Sequence, residues 1–310
     1  MSAALPRAVV AACWKLVELR ASVDPLDGSV TADPVSAAAS PADEAALELA
    51  LRAAERWGAS VAVVSASGDR RAEAMLREAL ACGATRAILV HPAIGGTGHP
   101  RRRPEGDTGT LEAPSEAVAS LLACALRGLG APLLAVFCGD ASVDRGSGSV
   151  PAFLAAELAA AQLLGVLGVR FGDSPGELEA ERRLERGRRE LARTGRASGM
   201  GAVVSVEAGA ARLRRSSLEG VLQARRASVE AVVADASATM TSRVEVREVG
   251  PWRPRTHVVA GPPASLPARE RILRLNGTLD ERTPARLLRL DPGRAADALL
   301  AQLREWGELA

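Results

Sequence analysis

The chain has 310 residues, 47% of them hydrophobic and 25% charged, with a formal net charge of +2, which gives room for one large globular domain or two modest ones. So small a charge argues against a dedicated nucleic-acid binder, and aromatics at 2% with no tyrosine argue against a base-stacking platform. Lys15 is the only lysine; with arginine supplying the other positive charges and alanine abundant, this reads as GC-rich coding before it reads as phosphate binding.

In chain order, Ala8–Cys13 is a short apolar strand, and the run ending at Trp14-Lys15 is a first strand rather than a signal peptide. Asp43–Trp57 has apolar residues at helical spacing, with Asp43-Glu44 where carboxylates favour the helix dipole and Gly58 to close it. Val61–Ser65 is a second strand, Arg70–Cys82 a helix ending at Gly83, and Arg86–Val90 a third strand. His91–Pro114 is dense in Gly, Pro and Arg and predicts an exposed loop. Helix Ser115–Leu129 leads to the strand at Leu133–Phe137, which breaks into Gly139-Asp140 and a glycine- and serine-rich turn. A helical pattern resumes at Ala152. The apolar stretch Phe153–Val169, interrupted by Glu157 and Gln162, predicts a buried core helix, too short for a membrane span. Residues 172–200 are highly charged, with a hairpin or short strands expected around Glu179–Leu191, and Ala202–Val206 is another strand. Gly250–Pro284 is proline-rich and predicts a run over a surface. Arg294–Trp306 is a terminal amphipathic helix, with Leu299, Leu300, Leu303 and Trp306 on or near one face. Strands alternating with helices of this length imply an α/β fold, a parallel sheet covered on both faces.

The chemistry-bearing residues favour binding over catalysis. The three histidines (His91, His99 and His257) lie in loop contexts without an adjacent carboxylate or metal-ligand spacing, and no G-x-S-x-G elbow occurs. Cys13, Cys82, Cys124 and Cys138 form no C-x-x-C, so buried free thiols in a reducing cytosol are expected rather than a zinc site or redox pair. The turn after Leu133–Phe137 has the small residues that bring backbone N–H groups up to a phosphate: Gly146 and Gly148 permit close approach, while Ser147 and Ser149 add hydroxyls. It is neither a P-loop nor a dinucleotide fingerprint, because no Gly-Lys-Ser/Thr and no third glycine follow. Other βα corners, Ala12–Lys15, Ser40–Asp43 and Ser65–Asp69, look up at the same sheet edge, where ligands of open parallel sheets bind. Each alone is ordinary capping; together they describe a nucleotide-holding site without hydrolytic machinery. In Glu207–Arg226 a basic segment carries Leu218, Val221 and Leu222, either an arm that contacts another protein or a segment packed on its own domain.

With these positions laid out, the chain resembles the β subunit of electron transfer flavoprotein, the FixA-type family, over roughly residues 8–250 and more weakly beyond. Ser40-Pro41-Ala42-Asp43-Glu44-Ala45 resembles the family's Asn-Pro-Phe-(Asp/Cys)-Glu-(Ile/Ala) motif, and Arg77–Ala84 its Arg-x-Ala-Leu-Ala-Met-Gly-Ala helix end. Gly139–Pro151 resembles the segment Gly-(Lys/Arg)-Gln-Ala-Ile-Asp-(…)-Gln-(Thr/Val)-Gly that holds the nucleotide phosphate. Ser216–Arg226 resembles the recognition arm Pro-Ser-Leu-Pro-Gly-Ile-Met-Lys-Ala-Arg-Lys. Trp14 and Val23–Gly28 are similar to the actinobacterial branch associated with mycofactocin systems.

The resemblance implies a Rossmann-like sheet of the adenine nucleotide alpha hydrolase-like type over residues 1–250, with the recognition arm at about 207–228, and an extended C-terminal arm and helix (251–310) packing on the partner. It implies a cytoplasmic electron carrier without catalytic residues of its own. An α subunit would carry most of an FAD site, client dehydrogenases would supply electrons, and this chain would bind AMP or a second FAD. Carried over position by position, Ala12, Ser40, Pro41, Asp43, Ser67, Gly68, Asp144, Gly146, Ser147, Gly148, Ser149 and Val150 would surround the nucleotide. Leu19 would approach the partner's flavin; Leu218, with Val221 and Leu222, would contact the client. Nucleic acid, metal and direct membrane insertion are not expected. The sequence departs from the family where Asn is Ser40 and where Gln and Gly of the phosphate loop are Ser149 and Pro151. The alternative reading is a stand-alone ATP/AMP-binding module like the universal stress proteins, which explains the βα corners but leaves the arm and tail unused.

Overall fold

The computed structural model describes residues 8–24, 26, 29–92, 113–194, 201–234, 261–276 and 287–307. It divides into two units, Met1–Trp252 and Arg253–Ala310. The first begins with β1 (Val9–Cys13) and four three-residue strands, β2 (Leu16–Glu18), β3 (Ala21–Val23), β4 (Val30–Ala32) and β5 (Ala37–Ala39). Helix α1 (Pro41–Trp57), β6 (Ser60–Ala66), α2 (Arg71–Ala81) and β7 (Arg86–Pro92) follow, then α3 (Ser115–Arg127), β8 (Leu133–Gly139) and α4 (Val150–Glu157). The unit is completed by β9 (Ala161–Phe171), β10 (Leu178–Arg183), β11 (Arg189–Thr194), β12 (Ala202–Val206), α5 (Leu218–Arg226) and β13 (Glu230–Ala234).

The main sheet has nine strands in the order β11-β10-β9-β12-β8-β1-β6-β7-β13. From β9 to β13 neighbouring strands are parallel, while β10 and β11 add an antiparallel edge. The central strands read as continuous apolar runs because both faces are covered. In β1 every residue is buried: Val10 and Ala12 join the core under α1 and α2, and Val9, Ala11 and Cys13 face α3 and α4. Helix α1 owes its limits to local chemistry. Ser40 accepts the Asp43 N–H, Pro41 takes the first turn, and Gly58, at φ 64°, donates to the Ala54 carbonyl.

Two readings are corrected. The expected core helix Phe153–Val169 is a short helix, α4, followed by the eleven-residue strand β9. Both halves are apolar, so the change of structure leaves no polarity signal; Val166, Val169 and two glycines in the second half favour strand over helix. Gly165, at φ 66°, sits in a bulge where the pairing with β12 shifts, and its N–H donates to Ser205 Oγ at 2.9 Å. The sheet is also not wholly parallel, because the charged hairpin expected near Glu179–Leu191 joins it as β10 and β11. There Glu179 lies between Arg170 and Arg193, an opposite-charge ladder suited to a solvated sheet edge. Strands β2–β5 and β13 were not anticipated. Residues 93–112, the greater part of the expected loop, lie outside the described residues, as do His99 and His257.

The second unit contains α6 (Ala268–Leu275) and α7 (Pro292–Glu305), the latter capped by Asp291, which accepts the Arg294 N–H at 3.1 Å. Helix α7 matches the expected terminal helix; α6 interrupts the segment read as a proline-rich run. Among the described residues no helix is long and apolar enough to cross a membrane.

Candidate functional site

A cavity of about 120 Å³ opens at the carboxyl ends of β1, β6 and β8, reaching the first turns of α3 and α4. Asp43, in the first turn of α1, holds its back wall together. One carboxylate oxygen accepts the Gly139 N–H at 3.2 Å beyond β8, and the other accepts the Lys15 N–H at 3.3 Å beyond β1. Its backbone carbonyl accepts Trp14 Nε1 at 2.7 Å, and its own N–H donates to Ser40 Oγ at 3.2 Å. A Cβ at position 139 would stand 2.6 Å from the Asp43 carboxylate, so this close strap requires glycine there.

Burial pushes the Asp43 carboxyl up to about 6, although the Lys15, Ser40 and Gly139 donors favour its charged form. A folded-state value above the unfolded 3.8 means that ionised Asp43 opposes folding. The penalty is present above about pH 6 and is relieved as the folded state takes up its proton between pH 6 and 3.8. Fully developed, it amounts to about 3 kcal/mol. The melting-temperature difference between Asp43→Asn and the natural chain is therefore expected to change by several °C between pH 7.5 and 5, moving in the natural chain's favour as pH falls. A difference independent of pH would contradict this assignment.

The loop after β8 forms the front of the cavity. Lys15 Nζ pairs with the Asp144 carboxylate at 2.6 Å and donates to Ser142 Oγ at 3.3 Å. For Asp144, burial raises the pKa, but the Lys15 and Ser142 hydrogen bonds outweigh it and the net shift is downward. Gly146 and Gly148 have φ 63° and 62°, values that L side chains avoid. A Cβ on Gly148 would also meet the Asp140 carbonyl at 2.9 Å. The hydroxyls of Ser115, Ser147 and Ser149 converge, with Ser149 donating to Ser115 at 2.8 Å and lying 3.2 Å from Ser147. Neither α3 nor α4 has a side-chain cap at its N-terminus, so backbone donors of both first turns are left for a ligand or water. Arg145 donates to the Ala113 carbonyl at 2.6 Å. The carboxyl of Asp140 is raised, chiefly by burial and also by the neighbouring Glu207. Leu16, Ala66, Val118 and Leu122 give the remaining wall an apolar face. One end thus offers donors to an anion and the other offers contact to a flat or apolar group.

Of the residues singled out in the sequence, Asp43, Ser67, Ser147, Gly148 and Val150 line this cavity. Ser40 and Pro41 act behind it as cap and first turn of α1, and the Ala12 side chain is buried in the core. Asp144 reaches the site through Lys15. Gly146 and Ser149 shape the loop, while Gly68 is exposed beside Ser67. Leu19, just beyond β2, is exposed. Sequence reasoning did not assign Ser115 or Arg145 to the site, and placed Lys15 there only as the end of the first βα corner. The solitary lysine at the end of the first strand was the one available signal. All four cysteines are free as expected, but only Cys13 and Cys138 are buried, whereas Cys82 is half-buried and Cys124 exposed; Cys13 and Cys138 are register partners on adjacent strands.

The segment 207–226 folds against its own domain and still presents apolar side chains outward. Arg214 pairs with Glu48 at 2.9 Å and with Glu55, tying the segment to α1. Gly220 abuts the Ala81 carbonyl at the end of α2, where a Cβ would stand at 2.5 Å. Val221 is half-buried and Ala224 buried, whereas Leu218 is 77% exposed and Leu222 50%. The root of the segment therefore packs on the domain, while Leu218 and Leu222 at its tip are exposed. Among the described residues no group of three or more His, Cys, Asp or Glu could hold a metal ion.

No family model matches the chain. It is 32% identical over 208 residues, 67% of its length, to "Protein FixA" of Rhizobium meliloti (strain 1021). It is 29% identical over 213 residues to "Protein FixA" of Bradyrhizobium diazoefficiens. The matched stretches span 65% and 66% of those relatives, just under two thirds of their length. Taken with the α/β fold, this similarity to two FixA proteins supports the FixA-type resemblance read from the sequence.

Proposed function

We propose that this chain is the β subunit of a heterodimeric electron transfer flavoprotein. It binds AMP, or a second FAD, in the cavity at the carboxyl edge of the sheet, and helps pass electrons from dehydrogenases to FAD held mainly by an α subunit. The observation that carries the reading is the donor set of the cavity. Two uncapped helix ends, three serine hydroxyls, and a glycine loop that a Cβ would obstruct surround one corner, and such corners suit a phosphate. The apolar wall of Leu16, Val118 and Leu122 suits an adenine ring. Asp140 would accept from ribose hydroxyls. Bound FAD would supply the group that takes and gives electrons.

In this reading residues 1–250 form the nucleotide-binding domain and 251–310 pack on the α subunit in the cytoplasm. Exposed Leu299 and Leu300 on α7, with Trp306 at its C-cap, supply an apolar stripe for that purpose. Leu19 faces the flavin of the partner, and Leu218, Val221 and Leu222 meet the client dehydrogenase. Co-expression with the α subunit is expected to yield a yellow heterodimer; a colourless complex after mild purification counts against the assignment. Leu218→Ala is expected to slow electron acceptance from the dehydrogenase about tenfold, the loss of a well-buried contact residue, with flavin content unchanged. If rate and flavin content fall together, Leu218 supports the fold and the arm reading fails.

A further inference from the structure

Cys13 and Cys138 have no role in the reading above. Cys13 ends β1 and Cys138 stands one residue before the end of the neighbouring strand β8, as direct register partners, so their Cα atoms stand about 4.8 Å apart across the ladder, within the range a disulfide spans. Both side chains belong to the core facing α3 and α4, both are more than nine-tenths buried, and both line the cavity.

We propose that Cys13 and Cys138 form a reversible dithiol–disulfide site in the cavity floor, oxidised by small hydroperoxides that enter the cavity. The proposal does not depend on which ligand the cavity holds. With hydrogen peroxide, one sulfur forms an S–O bond as the O–O bond breaks, and water leaves. The neighbouring sulfur then displaces the hydroxyl, forming the S–S bond and releasing a second water. Two thiol protons and two electrons reduce one peroxide. Thiol hydrogen bonding and burial hold Cys138 above the ordinary thiol range, so the reaction is slow at neutral pH and quickens as the solution becomes alkaline. The charged groups around the pair are Asp43 of α1, Lys15 beyond β1, and Asp140 and Arg145 beyond β8, while α3 faces it with Ser115, Val118 and Leu122. Side chains standing side by side on parallel strands must tilt to meet, so the disulfide is strained and readily reduced.

The test uses the full chain carrying Cys82→Ser and Cys124→Ser, which removes the other two thiols. After hydrogen peroxide at mildly alkaline pH, intact mass is expected to fall by two hydrogens. Peptide mapping is expected to give one cross-link, Cys13 to Cys138, reversed by dithiothreitol. The same cross-link is expected in the natural chain, which covers the case in which the double variant folds poorly. Adding Cys13→Ser to the double variant is expected to leave Cys138 gaining oxygen atoms instead. Stepwise oxygen gain at either cysteine with no cross-link, or alkylation of both thiols by iodoacetamide after peroxide, overturns the proposal.

Discussion

Gly148→Val is expected to weaken AMP retention by at least about tenfold, the effect of roughly 1.4 kcal/mol, while leaving the domain folded. Two observations combine. The residue has φ 62°, where a β-branched side chain is strained by about 1–3 kcal/mol. Its new Cβ would also press on the Asp140 carbonyl from 2.9 Å. The loop can relieve both by swinging outward, because Gly146 and its neighbours are exposed, and outward movement takes Ser147 and the first turn of α4 away from the cavity. Equilibrium dialysis with AMP, alongside thermal melting, separates ligand loss from unfolding. Unchanged AMP retention in a folded variant would remove this loop from the site.

Arg214→Ala is expected to cost about 2–3 kcal/mol of stability, because it leaves Glu48 buried with one of its two cationic partners gone. Burial raises the Glu48 pKa, but the hydrogen bonds from Arg214 and Arg52 more than offset it, so its net shift is downward. A depressed carboxylate contributes stability above its unfolded value of 4.5 and loses it as pH falls through the lower folded value. The gap between natural chain and variant is therefore expected to narrow below pH 4.5. Hydrogen exchange provides the local readout: residues 207–226 are expected to lose protection while β1 and β8 keep theirs. Uniform loss across the domain would mean that Arg214 does not specifically tether the arm.

Central strands were legible because burial on both faces makes them continuous apolar runs, and α1 was legible because Ser40, Pro41 and Gly58 mark both ends. The α4–β9 boundary was not, since an apolar helix followed by an apolar strand presents no change of period. The site was half legible for a similar reason. Glycines and serines that shape a loop announce themselves locally, as Gly148 and Ser147 do. The Lys15–Asp144 pair spans 129 positions, and its geometry comes from strand order. Asp43 looked like a helix cap with a binding role; its strap across β1 and β8 requires a fold to recognise. Cys13 and Cys138 show the same limit, as register across a parallel ladder has no local signature.

The most direct test is mass spectrometry of the small molecules released from the heterodimer purified without added nucleotide. The account predicts an adenine nucleotide at one per β subunit, AMP or a second FAD, beyond the single FAD shared with the α subunit, and its loss from the Gly148→Val complex. A heterodimer that carries only the shared FAD, with AMP failing to bind the natural chain, would contradict it.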